Sequence, residues 1–188
     1  MRSPNAQRPD PAHRPSAAHP GSAAHEIAEK AIALIQSQFH GLLVTLDEHG
    51  FPHSRVMGAA TGDTGLRQLV CLSASPTRKL EHIRCNPRVC WMFYDSETHD
   101  TLLVKGLAHV VSWADRTAAV WDQLAKCTAE HSLAELGHQD GEGFRAVVTD
   151  VVELEYVDHR DAKRHPQVLR FTAPERWAEH VPCPCAER

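Results

Sequence analysis

Residues 75–79 read Ser-Pro-Thr-Arg-Lys and carry the clearest chemistry in the chain. Serine followed by proline marks a helix start, with Ser75 as the cap and Pro76 at the first helical position. Free backbone N–H groups and the positive end of the helix dipole attract an anion there. Arg78 and Lys79 fall in that same first turn, where cations oppose the dipole by about a few tenths of a kcal/mol. Two cations so placed point to a negative partner that the turn itself lacks; a solvated basic turn is the alternative. Arg55 lies near the end of a β-prone segment, with His53 and Ser54 before it and Val56 and Met57 after it. It adds a third cation at the rim of the sheet. Three cations with several backbone donors are enough for a phosphate dianion, held by charge-assisted and partly bidentate bonds. The chain has neither G-x-G-x-x-G nor G-x-x-x-x-G-K-[ST], so neither a Rossmann nor a Walker phosphate site is indicated.

The elements that must position these side chains are mostly strands. Ile27, Ala31, Leu34 and Ile35 recur at helical spacing over residues 25–38, with Gly41 as the stop. Residues 41–46 and 51–57 are β-prone and flank Asp47-Glu48-His49-Gly50, which has hairpin-turn chemistry. Further strands are expected over 66–73, 88–94, 101–111 and 146–157. The segment 88–94 puts Val89, Trp91 and Phe93 on one face and Cys90, Met92 and Tyr94 on the other, apolar on both sides as in a closed or sandwiched sheet. Gly106, inside a leucine-rich strand, marks a bulge or a close backbone approach. Helices are expected over 76–85 and, after the capping-box-like Ser112, over 114–126. With no βαβ alternation, a barrel with peripheral helices is favoured over a doubly wound sheet. An apolar patch at 168–171 has no assigned place.

With 188 residues, the chain is long enough for one domain with a substantial core. Residues 1–24 have the Pro, Ala, Ser, Arg and His composition of a disordered tail. The domain proper is expected over 25–160 and a C-terminal extension over 161–188. His13, His19 and His25 are evenly spaced, yet nothing in a tail fixes a metal geometry, so they read as solvated. The net charge of −4 excludes the global positive field of non-specific nucleic-acid binding. No run approaches the roughly 20 apolar residues of a membrane span, and no signal-like stretch opens the chain. The six cysteines show neither zinc-knuckle spacing nor small-scaffold density, so reduced thiols in a cytoplasmic protein are expected.

Three stretches together carry a family resemblance: 72–79 (LSASPTRK), 82–89 (HIRCNPRV) and 104–108 (VKGLA). In that order they resemble the pyridoxamine 5′-phosphate oxidase-like flavoproteins, over about residues 27–121. The resemblance implies a mainly β (α+β) fold, an FMN-binding split β-barrel with peripheral helices that holds FMN at a homodimer interface, and the strands expected above make that barrel six-stranded. It implies that Arg55, Val56 and Met57 line the flavin and its phosphate, that Leu72 and Ser73 form a second FMN-contacting stretch, that Arg78 and Lys79 are the phosphate pair, and that Thr101 touches the flavin. FAD is the alternative if the pocket is open at the phosphate end. The residues themselves agree, since Val56, Met57 and Leu72 can supply an apolar slot while the basic rim holds the phosphate. The expected activity is flavin-dependent electron transfer with a small-molecule donor or acceptor, without nucleic-acid or membrane partners. A non-enzymatic flavin-binding or stress protein and a haem-binding split barrel are the competing readings.

The pattern also departs from authentic pyridoxamine phosphate oxidases. The family's substrate-phosphate lysine falls on Ala60, its substrate-binding Tyr and Arg fall on Ala119 and Gln123 by ungapped counting, and its terminal Arg-Leu-His element is replaced by FTAPERW at 171–177. The likeness is closer to the small general-stress-protein branch. No residue stands out as a catalytic acid or base. Trp91, Trp113 and Trp121 read as packing residues, and His53 as a rim histidine satisfied by water. His180, Cys183 and Cys185 make too sparse a set for a metal. Among His131, His138, His159 and His165 nothing selects a haem ligand.

Overall fold

The computed structural model describes residues 22–62, 65–111, 143–161 and 165–172. Helix α1 (Ala23–Gln38) begins ahead of residue 25 because Ser22 caps it, its hydroxyl accepting from the His25 amide at 3.2 Å. Ala31, Leu34 and Ile35 form its buried side. The helix ends at Phe39, in a left-handed conformation with φ +48°, rather than at Gly41. Gly41 has a different duty. It lies inside the first strand, where a Cβ would stand 2.7 Å from the Phe93 ring, so its lack of a side chain lets that ring lie against the sheet.

The remaining elements are β1 (His40–Leu46), β2 (Pro52–Gly58), β3 (Ala60–Gly62), β4 (Gly65–Ala74), α2 (Arg78–Cys85), β5 (Arg88–Tyr94), β6 (Thr101–Val111), β7 (Phe144–Val157) and β8 (Gln167–Arg170). Every strand pairing is antiparallel, in the order β2-β1-β5-β6-β7-β4-β3, with β8 on β7. Strand β2, at one end of this order, also touches β4 near the other, so the sheet curls strongly into a half-barrel. The mainly β split-barrel fold with peripheral helices is therefore as expected, two of those helices lying among the described residues. The described residues hold eight strands rather than six. Strand β3 is only three residues long, too short to show a period, and β8 is the apolar patch at 168–171, paired to the second half of β7. The helix expected over 114–126, Trp113, Trp121 and residues 1–21 lie outside the described residues.

The β1–β2 turn forms as its residues dictate: the Asp47 carboxylate accepts from the His49 and Phe51 amides at 2.9 and 2.8 Å. Inside the curl, Leu43, Leu69, Trp91, Phe93, Leu102, Val104 and Leu154 are buried together with Ile35 of α1 and Leu80 of α2. Trp91 is a core residue. Its indole N–H donates to Thr149 Oγ1 at 3.2 Å and its ring stacks on Phe93. The outer side of β5 differs from the expectation of cover on both faces, because Met92 is 37% and Tyr94 45% exposed. Alternation alone cannot say whether an apolar outer face is covered within the same chain.

Gly106 sits at a bulge, as expected. Lys105 pairs with Glu153 but Gly106 with Val151, leaving Val152 as the extra residue, whose carbonyl accepts the Phe171 amide at 2.8 Å. Of the cysteines, Cys71 and Cys90 are free, whereas Cys85 is disulfide-bonded. This corrects the expectation of wholly reduced thiols. Spacing rules for zinc knuckles and small disulfide scaffolds do not reveal such a bridge. No helix among the described residues is long and apolar enough to cross a membrane.

Candidate functional site

Helix α2 starts later than its Ser-Pro signal suggests. Its cap is Thr77, in extended backbone with φ −143°, so Arg78 and Lys79 are its first two residues. Ser75 is instead held by the sheet: the β4–β7 ladder runs through Ala74 opposite Phe144, and the Ser75 amide continues it by donating to the Gly143 carbonyl at 2.6 Å. The Ser75–Pro76 peptide is cis. Thr77 makes no side-chain cap bond, and its hydroxyl lies 3.1 Å from Ser73 Oγ.

These placements gather the predicted cations. Lys79 Nζ donates to Ser73 Oγ at 3.0 Å, which ties the helix start to the end of β4. Arg55, on β2, lies within electrostatic reach of Arg78 and Lys79, and the buried Cys71 lies within reach of Arg55 and Lys79. Burial, with the charge of Arg78, pulls the Arg55 guanidinium below its usual range. Burial likewise lowers Lys79, Arg55 adding to the effect. The Cys71 thiol is pushed up to about 12 by burial, so it stays protonated. Among the described residues no carboxylate pairs with Arg55, Arg78 or Lys79. Three neighbouring cations, two of them partly desolvated, with a hydroxyl pair and the first turn of a helix, make a set complementary to a phosphate dianion.

The other predicted residues divide. Ser73 is buried within the cluster, and Met57 packs against the main core beside Arg55. Leu72 packs on the small apolar cluster of Ala60, Val70, Ala146 and Val148. Val56 points outward and is 67% exposed. Thr101 stands apart, at the start of β6 opposite Tyr94, with its hydroxyl on the His99 carbonyl at 3.5 Å. In cross-strand register it is three residues from Val104, whose row runs through Trp91 and Leu43 to Arg55; that is roughly 10 Å along the strands. The preceding Asp100 is buried and accepts from the Tyr156 hydroxyl at 2.9 Å and the His159 amide at 3.1 Å, fixing this corner.

Reading by residue type missed two members of the site. Thr45, fully buried on β1, accepts from Arg55 at 2.7 Å and lies 3.0 Å from His82 Nδ1. His82 is buried on α2, one turn after Lys79. A threonine in an apolar strand reads as packing, and only the spacing of His82 from Lys79 hinted that the two share a helix face. His53 is satisfied by Asp47, its Nε2 lying 3.0 Å from the carboxylate, rather than by water alone. Of the haem-ligand candidates, His165 is exposed and His159 is half-buried, while His131 and His138 lie outside the described residues, as do His180, Cys183 and Cys185. Among the described residues no group of His, Cys, Asp and Glu could hold a metal ion.

Burial lowers His82 below the usual imidazole range, and nearby His53 and Arg55 add to the shift. The folded chain therefore binds fewer protons than the unfolded one, and stability falls as pH drops through about 6.5. We expect the thermal midpoint of the wild-type chain to fall more between about pH 7 and pH 5 than that of His82→Asn; parallel profiles in differential scanning calorimetry would contradict this.

Comparison with known proteins places the fold. The pyridoxamine 5′-phosphate oxidase family model matches residues 27–158, and the chain belongs to that family. No curated protein matches the chain. Among solved structures it is similar to a protein related to general stress protein 26 from Clostridium acetobutylicum, with 17% identity over 78% of this chain and 95% of that one and a TM-score of 0.61. At this identity the likeness is one of fold. It is similar to an FMN-binding, pyridoxamine 5′-phosphate oxidase-related protein from Nostoc punctiforme, with 14% identity over 80% and 97% of the two chains and a TM-score of 0.57. A haem-binding protein from Mycobacterium smegmatis shares 18% identity over 79% and 58%, with a TM-score of 0.62.

Proposed function

We propose that the protein binds FMN as a homodimer and acts as a flavin-dependent oxidoreductase. The observation that carries this reading is the meeting of Arg55, Arg78 and Lys79 with no carboxylate partner among the described residues. Family membership and the FMN-binding relative of the same fold support it. Bound flavin supplies the electron transfer itself. The chain's part is to hold the phosphate with its three cations and to offer the β2 edge at Val56 and Met57 and the end of β4 at Leu72 to the ring system. The absorption spectrum of the purified protein, with FMN added, tests the reading. A two-banded flavin spectrum at one FMN per chain is expected. A Soret band would favour the haem reading suggested by the Mycobacterium smegmatis structure. Reduction of the bound flavin by NADH or NADPH, then turnover with an acceptor, separates an enzyme from a binding protein.

The second copy is argued from the outer face of the sheet. Val56, Leu42, Met92 and Leu103 form one apolar row across β2, β1, β5 and β6, beginning next to Arg55. A second copy over this row would cover both the exposed side chains and the flavin. The pair of substitutions Val56→Asp and Met92→Asp is therefore expected to give a monomer in light-scattering chromatography and to weaken FMN as well. A dimer that persists in the double variant would refute this arrangement.

Oxidation of pyridoxamine or pyridoxine 5′-phosphate is not expected. Ala60, at the position of the family's substrate-phosphate lysine, is buried in an apolar cluster with Val70, Ala146 and Val148. Loss of one charge-assisted contact to a phosphate costs about 1.5–3 kcal/mol, or roughly ten- to a hundred-fold in binding. Steady formation of pyridoxal phosphate with oxygen consumption would show the expectation to be wrong.

A further inference from the structure

Arg55 does not stand alone in the sheet. Its NH1 donates to Thr45 Oγ1 at 2.7 Å and to the Leu43 carbonyl at 3.4 Å, and its other N–H donors have no partner among the described residues. Thr45 is fully buried, and its second contact is His82 Nδ1 at 3.0 Å. A guanidinium only donates, so Thr45 Oγ1 is the acceptor toward Arg55. The threonine hydrogen is then available to His82, whose Nδ1 accepts it when the imidazole is neutral with its proton on Nε2. His53 closes the far side, its ring edge-on to His82 at 5.1 Å and its own Nε2 held by Asp47.

We propose that His82 is a positioning residue for the anion site: through Thr45 it holds one edge of the Arg55 guanidinium against β1, so that the remaining donors are presented to the ligand phosphate. Helix α2 then serves the site twice, with Arg78 and Lys79 at its start and with His82 one turn on. The arrangement orders a long, rotamer-rich side chain before the ligand arrives, which lowers the entropic cost of binding. The inference rests on the FMN reading above for the identity of the phosphate, but not for the hydrogen-bond chain.

The test compares FMN and riboflavin affinities in full-length wild type, His82→Leu, His82→Asn and Thr45→Val, with circular dichroism confirming the fold of each. His82→Leu is expected to weaken FMN about ten-fold and leave riboflavin unchanged, because only FMN carries the phosphate. His82→Asn, whose side-chain oxygen can accept from Thr45, is expected to restore most of the loss. Thr45→Val should match His82→Leu, and the double variant should lose no more than either, since both break one chain. Equal losses for FMN and riboflavin, no loss in His82→Leu, or failure of His82→Asn to rescue would each overturn the proposal. The imidazole ¹⁵N spectrum is the second arm. An unprotonated Nδ1 whose resonance moves in Thr45→Val supports the proposal, and a protonated Nδ1 at neutral pH overturns it. If the wild-type chain binds no FMN, the functional reading fails and the ¹⁵N arm alone decides the role of His82.

Discussion

Replacing Arg78 and Lys79 together by alanine is expected to weaken FMN by at least a hundred-fold while changing riboflavin affinity little. Each residue would give a charge-assisted contact worth about 1.5–3 kcal/mol. Two such contacts amount to roughly 10²–10⁴ in affinity, the lower end applying if the survivors compensate. Little strain should accompany the change, because Arg78 is exposed and α2 keeps Leu80 and Ile83 in the core. Lys79 also releases Ser73 Oγ, which keeps its contact with Thr77. Fluorescence quenching titrations of both ligands give the answer. Equal losses for FMN and riboflavin would refute the phosphate assignment.

The second large effect is on stability. Gly106→Ala would drive a methyl group into the Thr149 side chain and to 2.7 Å from the Asp150 carbonyl oxygen. The carbonyl belongs to β7, which is paired with β6 on one side and β4 on the other, so it cannot move away cheaply. Overpacking of this kind costs about 1–3 kcal/mol, or roughly 2–12 °C in thermal midpoint for a chain of this size. A midpoint within a degree of wild type would mean that the bulge relaxes. Since Gly106 supplies no side chain to the cation cluster, the surviving folded fraction should keep its phosphate affinity.

Legibility in the sequence followed the range of the interactions involved. Strands β5 and β6 have the bounds that their alternation predicts, and the Asp47 turn and the Gly106 bulge announce themselves by residue type. Helix α2 was legible, but its first residue was not. Ser75 and Thr77 are both plausible caps, and the choice is made by Gly143, far away in sequence. The three cations were visible because two of them oppose a helix dipole. Thr45 and His82 were not, because their meaning lies in a contact 37 residues apart that no local pattern encodes. Strands β3 and β8, of three and four residues, are held by their partners rather than by any period of their own.

Helix α2 is eight residues long, with Leu80 and Ile83 pressed into the core and its contacts directed to β1 and β6. Arg78, Lys79 and His82 therefore ride on one short rigid rod rather than on independent loops. A tilt of that rod displaces the phosphate pair and loosens the Thr45 latch on Arg55 in the same movement, so the site degrades as a unit. Leu80→Ala, a change that touches no polar group of the site, should for this reason register in ligand affinity as well as in melting temperature.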